Sequence, residues 1–367
     1  MSRKDRILGA LLGVHAGDSL GASYEFNSWS ALQDYYPNGI PHDIVGGGPF
    51  GWSPGHATDD TDMTRAVLLA YKHCTATHAA DATDAKDSRD SLALATVAGN
   101  YMLDWYEGRW PGRRLGSRPV DAGGATRVGL STFSGSNPRD PRRAGAGQGQ
   151  AGNGSLMRCI PTALFADKAA LVEESALVSA VTHDDARCVL ACAAYNTIVA
   201  ALVDGVLPAD AVEAGLAVLS EDTVELIVAT FTGDDGEVVG TLTKENLLEA
   251  LPQVQSAISK GKAVRVGDLA ELGPDEAPGG KAAIPLHASG YVLESLTLGI
   301  AAVLDTDRTT EDLLVDVVSV GRDTDTNGAV AGGLLGARDG VEGIPALWRS
   351  KLQFGQEFTE IVNSLVK

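Results

Sequence analysis

Two clusters of short, oxygen-bearing side chains stand far apart in this chain. The first is Thr58-Asp59-Asp60-Thr61-Asp62 and the second is Asp323-Thr324-Asp325-Thr326-Asn327. Each leads into a stretch with helical spacing, so each places carboxylates and hydroxyls at a helix start. Such oxygens suit hard divalent cations, Mg²⁺, Mn²⁺ or Ca²⁺. One helix start needs one capping residue, and an acid there also favours the helix dipole. Three Asp in five positions, and two Asp plus two Thr in four, exceed that need. Massed carboxylates repel one another unless a cation neutralises them. A metal site and a pair of solvated caps both stay open on these residues, with the charge density favouring the metal. An EF-hand is excluded, because no glycine and downstream Glu fall at its offsets.

Three more motifs carry chemistry. Gly17-Asp18-Ser19-Leu20-Gly21 reads as a turn that closes a helix, and Glu25 beyond it stands where a carboxylate could reach a metal-bound water. Gly152-Asn153-Gly154-Ser155-Leu156-Met157-Arg158 offers backbone N–H groups at a helix start, a place where phosphate sits. Thr182-His183-Asp184-Asp185 puts a histidine between helices, in a structural or a functional role, with either Asp able to cap the next helix. The familiar nucleophile and nucleotide signatures are missing: no G-x-S-x-G elbow, no G-x-G-x-x-G after a strand, no P-loop. Cys188 and Cys192 sit four apart near His183, but the spacing fits no usual zinc pattern and the Ala-rich surroundings indicate buried thiols.

The elements that must hold these residues are helices. Apolar residues recur at three and four in Ile7–His15 (ending near Gly17), 61–72, 91–106, 171–181, 184–203, 209–219, 291–304, 310–320 and 326–335. Alternating β-branched runs are scarce, with only a short piece at 238–242, so an all-α orthogonal bundle is expected. Residues 107–155 are rich in Gly, Arg, Pro and Ser, and read as a long loop carrying a basic island from Arg109 to Arg143. Residues 263–285 and 76–90 read as surface connections. The 367 residues are treated as one domain. Asp and Glu number 48 against 29 Lys and Arg, a formal charge of −19. An acidic surface disfavours nucleic acid and anionic lipid as partners. No run is counted as reaching the ~18–20 apolar residues that span a bilayer. No secretory signal is recognised, and four cysteines are too few for a disulfide scaffold, so a reducing, cytoplasmic setting and a monomer are expected.

The order of the motifs is more specific than any one of them. GDSLG with Glu25, then TDDTDM, GNGSLMR, THDD and GRDTDTNGAVAGGLLGA resembles the ADP-ribosylglycohydrolase family, over about Arg6 to Leu352. The resemblance implies an all-α, compact, single-domain fold with a dinuclear Mg²⁺ or Mn²⁺ centre in a cleft. It implies metal ligands at Thr58, Asp59, Asp60, Asp323, Asp325 and Thr326, with Glu25, Asp60 and Asp325 as the catalytic set. Glu25 matches the acidic residue of a mobile loop near the metals, an acid/base group or gate. Gly152, Asn153, Gly154, Ser155 and Met157 match the substrate-binding turn, and His183 a residue near the ADP-ribose. Arg322 departs from the pattern, standing where the family usually has a second glycine.

The implied reaction is Mg²⁺-dependent removal of ADP-ribose from a modified acceptor, most simply protein arginine. Cleavage at the anomeric carbon passes through an oxocarbenium-like state, and two metals would orient the ribose hydroxyls and acidify a water. Serine ADP-ribose, O-acetyl-ADP-ribose and ADP-ribosylated small molecules or nucleobases are alternative substrates. A non-catalytic, crystallin-like ADP-ribose-binding protein is the alternative of a different class. The Arg-rich segment is either a solvated loop or a means of steering an anionic substrate.

Overall fold

The computed structural model describes residues 1–80, 90–273 and 287–366. Among these residues the chain forms seventeen α-helices and only isolated β-bridges. Helices α1 (Arg3–Gly21), α2 (Trp29–Tyr35), α3 (Asp59–Ala80), α4 (Ser91–Tyr106) and α5 (Gly124–Gly135) come first. Next are α6 (Ile160–Phe165), α7 (Leu171–Ala180), α8 (Ala186–Val203), α9 (Pro208–Ala217), α10 (Glu221–Thr230), α11 (Lys244–Gly261) and α12 (Val266–Leu272). The last are α13 (Val292–Leu304), α14 (Thr310–Ser319), α15 (Thr324–Asp339), α16 (Ala346–Arg349) and α17 (Gly355–Leu365).

Helices α1 and α15 are the axis of the molecule, and they run antiparallel. Glycines at every fourth position of α1 meet glycines of α15: Gly9 against Gly336, Gly13 against Gly332, Gly17 against Gly328. The backbones touch, so a Cβ on Gly17 would fall 1.9 Å from the Gly328 carbonyl oxygen. This seam brings the C-terminal turn of α1 beside the N-terminal turn of α15. It thereby places the region from Gly17 to Glu25 against the second Asp/Thr cluster. Gly17→Ala is expected to cost about 3 kcal/mol or more, because only backbone can give way there. A fall in the urea midpoint measures it, and an unchanged midpoint would mean that the helices separate freely.

Two apolar cores flank this axis. The larger gathers Leu94, Phe133, Leu190, Ile258 and Leu334 from α4, α5, α8, α11 and α15. The smaller gathers Leu20, Leu298, Val317 and Trp348 from α1, α13, α14 and α16. Helix starts are capped as local chemistry dictates. Asp90 accepts from the backbone N–H of Leu92 and Ala93, and Thr243 and Asn246 form a capping box on α11.

The structure corrects several sequence expectations. Residues 107–155 are not one loop: they contain α5, whose buried stripe of Thr126, Leu130 and Phe133 is diluted by glycines. Residues 263–273 include α12, while 274–286, the rest of the expected connection, lie outside the described residues. Of the connection expected at 76–90, residues 76–80 end α3 and 81–89 lie outside the described residues. The strand-like piece at 238–242 forms only a bridge between Thr232 and Val238. Helix α1 continues past Gly17, so the GDSLG motif is its last turn rather than a loop. One run, Ala186–Val203, does reach a bilayer-spanning length and apolarity, but it is a core helix, 78% buried among its neighbours.

Candidate active site

The first Asp/Thr cluster is held from outside by Asp18. Helix α3 (Asp59–Ala80) has a local cap in Thr58, whose hydroxyl oxygen accepts from the Asp60 N–H at 3.3 Å, and a second one from a distant segment. Asp18, fully buried in the last turn of α1, accepts from the Thr58 and Thr61 N–H groups at 3.1 and 3.2 Å. It also accepts from the Thr58 hydroxyl at 2.8 Å and from the Thr61 hydroxyl. Burial still outweighs these bonds and pushes its carboxyl up to about 7. Asp18 is thus a cap supplied by another helix, which the sequence reading missed because it placed the motif in a turn.

The five residues of that cluster divide by direction. Asp62 points away from the cavity and accepts from the indoles of Trp105 and Trp110 at 2.9 and 2.7 Å. Thr61 serves Asp18. Asp60 faces the second cluster, Asp59 lines the cavity, and the Thr58 hydroxyl lies between Asp18 and Asp60. The Thr326 hydroxyl donates to Asp60 Oδ2 at 3.3 Å, joining the start of α15 to the start of α3. Asp323 Oδ2 accepts from the Asn153 amide at 2.7 Å, which ties the GNGS turn to the same place. Glu25, Asp323 and Asp325 each present a carboxylate oxygen, all within 4.8 Å of one another.

This arrangement concentrates carboxylates, and among the described residues no ion pair with Lys or Arg reaches Glu25, Asp59, Asp60, Asp323 or Asp325. Asp60 Oδ1, Asp325 Oδ1 and Glu25 Oε2 are buried atoms without a hydrogen-bond partner among the described residues. Burial, then the neighbouring acids, raises Asp59, Asp60 and Asp325 well above the ordinary carboxylate range. Glu25 is pushed up to about 8 by burial first, and by Asp323, Asp121 and Asp18 next. Orphaned carboxylate oxygens with threonine hydroxyls between them fit a hard divalent cation. The two helix N-termini behind them contribute partial positive charge of the same use.

The cluster forms the floor of a cavity of about 570 Å³, in the range of small-molecule sites. Its walls include Gly152, Asn153, Gly154, Met157 and His183, together with Gly123–Thr126 at the start of α5. Of the sequence-predicted substrate residues, Ser155 stands apart. Its hydroxyl accepts from Ser179 at 2.9 Å and faces the core rather than the cavity. Thr58 and Asp60 lie beneath the cavity surface, and Asp59, Asp323, Asp325 and Thr326 line it.

Asp121 also lines the cavity, and nothing in its sequence context marked it. Its carboxylate accepts from the Asp59 N–H at 3.1 Å. The Arg-rich segment therefore contributes an acid to the site, not a base. Three of its cations are engaged elsewhere: Arg109 pairs with Asp104 and Glu107, Arg142 with Asp140, and Arg118 stacks on Tyr106. The charge of Arg113 acts on Asp121, against the burial that raises that carboxyl. All four cysteines are buried; Cys188 donates to the Gly152 carbonyl and Cys192 to Ser155, as structural thiols do.

Among the described residues, Arg322 is the one Lys or Arg side chain in the cavity wall. It adopts a left-handed φ of +66°, and Phe26, next to Glu25, one of +67°. The two segments are tied by Phe26 N–H to the Arg322 carbonyl at 2.7 Å and Arg322 N–H to the Asn27 carbonyl at 2.5 Å. This double tie fixes Glu25 beside Asp323. The left-handed conformation explains why a glycine suits this position. Among the described residues, no hydrogen bond or ion pair holds the exposed Arg322 guanidinium. Arg322→Gly is expected to stabilise the protein by about 0.5–1 kcal/mol by relieving strain. A higher urea midpoint at unchanged slope would show it, and a lower one would show that the arginine stabilises the turn.

Fold and site together define an all-helical protein with an acidic, ligand-sized cleft built on two helix starts. The chain belongs to the ADP-ribosylglycohydrolase family, whose model matches residues 1–367. These are glycosidic-bond hydrolases. The ADP-ribosyl-[dinitrogen reductase] glycohydrolase of Rhodospirillum rubrum is 28% identical over 96% of this chain and 92% of its own. The ADP-ribosylarginine hydrolase Tri1 of Pseudomonas putida is 28% identical over 98% of this chain and 78% of its own. A solved ADP-ribosylglycohydrolase-related protein complex shares the fold, with a TM-score of 0.63, 24% identity, and coverage of 99% of this chain and 98% of that one.

Proposed function

We propose that this chain is a divalent-cation-dependent hydrolase that releases ADP-ribose from ADP-ribosylated arginine. The observation that carries the reading is the meeting of unpartnered carboxylate oxygens from Glu25 and Asp325 at the floor of a ligand-sized cavity, with that of Asp60 beneath it. Thr58, Asp59, Asp60, Asp323, Asp325 and Thr326 would hold two Mg²⁺ or Mn²⁺ ions. When bound, such a pair supplies positive charge that orients the ribose hydroxyls and acidifies a water.

The chain's own residues do the rest. Asn153 and Thr326 fix the rotamers of Asp323 and Asp60 by donating to them. The Gly152–Gly154 turn and His183 receive the ADP-ribose, with the peptide groups able to approach because two of the three residues lack side chains. Glu25 holds or moves a proton at its free Oε2, next to the bond that breaks. Glu25 and Asp121, the wall carboxylates outside the cation ligand set, favour a cationic acceptor. That preference supports arginine over serine or an acetyl group, and it agrees with the ADP-ribosylarginine hydrolase of Pseudomonas putida being a relative.

Comparing kcat/KM on arginine-linked, serine-linked and O-acetyl ADP-ribose tests the acceptor. The arginine substrate should lead, and a lead for serine would reassign it. Glu25→Gln should slow kcat by about a hundredfold or more, with the Kd for ADP-ribose changed less than about threefold. Metal content measured alongside separates proton transfer from cation loss. Equal losses in kcat and affinity would make Glu25 a binding residue.

A further inference from the structure

Arg158 is the last residue of the GNGSLMR motif, and its side chain is fully buried. Among the described residues no carboxylate pairs with it. Its guanidinium donates to the carbonyls of Gly154 at 2.5 Å and Val178 at 3.2 Å, and to the Thr182 hydroxyl oxygen at 2.7 Å. That same Thr182 oxygen lies 2.7 Å from Nδ1 of His183. The chain of contacts runs from a buried cation, through one hydroxyl, to a histidine in the cavity wall.

Proton counting along the chain leaves one consistent arrangement. A guanidinium is donor only, so Thr182 accepts from Arg158 and its single hydroxyl hydrogen must go elsewhere. Thr182 is fully buried, and among the described residues the one acceptor within reach is His183 Nδ1. Were Nδ1 protonated, two donors would point at the same oxygen and the hydroxyl hydrogen would be buried with no acceptor. Leaving such a group unsatisfied costs about 1–3 kcal/mol. Nδ1 therefore accepts, and in a neutral ring the hydrogen sits on Nε2. A second proton on the ring is opposed by burial and by Arg158, which hold the imidazole down to about 3.

The Nε2/Cε1 edge is the one turned to the glycine turn. A Cβ on Gly154 would lie 2.9 Å from Cε1 and 3.2 Å from Nε2, and one on Gly152 3.4 Å from Nε2. Nε2 has no protein partner among the described residues. We propose that Arg158 and Thr182 are positioning residues that lock His183 as its Nε2–H tautomer, a fixed neutral hydrogen-bond donor to an oxygen of the bound ADP-ribosyl group. The identity of that ligand rests on the function proposed above; the tautomer does not.

The test is ¹⁵N NMR of histidine-labelled protein, with His183 assigned by its loss in His183→Gln. The expected signature is a protonated-type shift at Nε2 and an unprotonated, acceptor-type shift at Nδ1. The reverse pattern, or a doubly protonated ring at neutral pH, overturns the proposal. Adding ADP-ribose with Mg²⁺ should move the Nε2 resonance far more than Nδ1, and an unmoved Nε2 overturns the donor role. Thr182→Ser, which keeps the hydroxyl, should preserve both shifts and affinity. Thr182→Val should mix the tautomers and weaken ADP-ribose binding by about tenfold. If the wild-type tautomer is as stated but no histidine or backbone resonance responds to ADP-ribose, the functional reading fails and the donor role with it, while the tautomer lock stands.

Discussion

Asp325→Asn is expected to reduce turnover by about a thousandfold or more, and at the same time to stabilise the metal-free protein. The two effects have one cause. Asp325 is buried, one of its oxygens has no partner, and Asp60, Asp323 and Glu25 all repel its charge. Asn keeps the shape and removes the ionisable group. Without cations, that relieves a repulsion and a desolvation cost, worth on the order of 1–3 kcal/mol. With cations, on the function proposed above, it would remove a ligand from the centre that activates water, a loss of several kcal/mol in the transition state. Turnover and the metal-free urea midpoint are the paired readouts, and Asp59→Asn and Asp323→Asn belong in the same series. Full activity in Asp325→Asn would remove this carboxylate from the chemistry. Loss of activity with a lowered midpoint would make it structural.

The metal-free protein should lose stability as pH rises from about 4 to about 8. An unfolded Asp or Glu titrates near 4, whereas Asp18 holds its proton to about 7 and Glu25 to about 8, chiefly through burial. Between those limits the folded state binds more protons than the unfolded state. Stability is then fully present below the unfolded value and is lost as pH passes the folded ones. The summed effect is on the order of a few kcal/mol, read as urea midpoints across that range in EDTA. Mg²⁺ at a hundred times its Kd should restore about 2.7 kcal/mol at pH 8. It should restore nothing in Asp325→Asn. A metal-free midpoint that rises with pH would show that the carboxylates are solvated and that no cation is needed to balance them.

Much of this site can be read from the chain because its parts are local. Asp59, Asp60, Asp323 and Asp325 announce themselves by density, more acid than a cap requires. Helix α4 falls where its apolar spacing puts it, at Ser91–Tyr106. What escapes is whatever depends on contact between distant segments. Asp18 looks like a turn residue until the glycine seam with α15 shows that α1 continues through it. Asp121 sits in a stretch with no apolar period, so only the fold reveals that it faces Asp59. Ser155 follows the motif, yet the tight turn rotates its hydroxyl to Ser179. Helix α5 hides because glycines interrupt its stripe, and α8 evades a count of apolar residues because Arg187, Asn196 and Thr197 interrupt it.

The account turns on whether the carboxylate floor works as a cation-dependent hydrolase centre. The most direct measurement is release of free ADP-ribose from an arginine-modified protein, in Mg²⁺ or Mn²⁺ and in EDTA. Release that EDTA abolishes and added cation restores is the predicted result. Release that continues undiminished in EDTA would contradict the cation-dependent centre, and no release under any of these conditions would contradict the hydrolase on arginine.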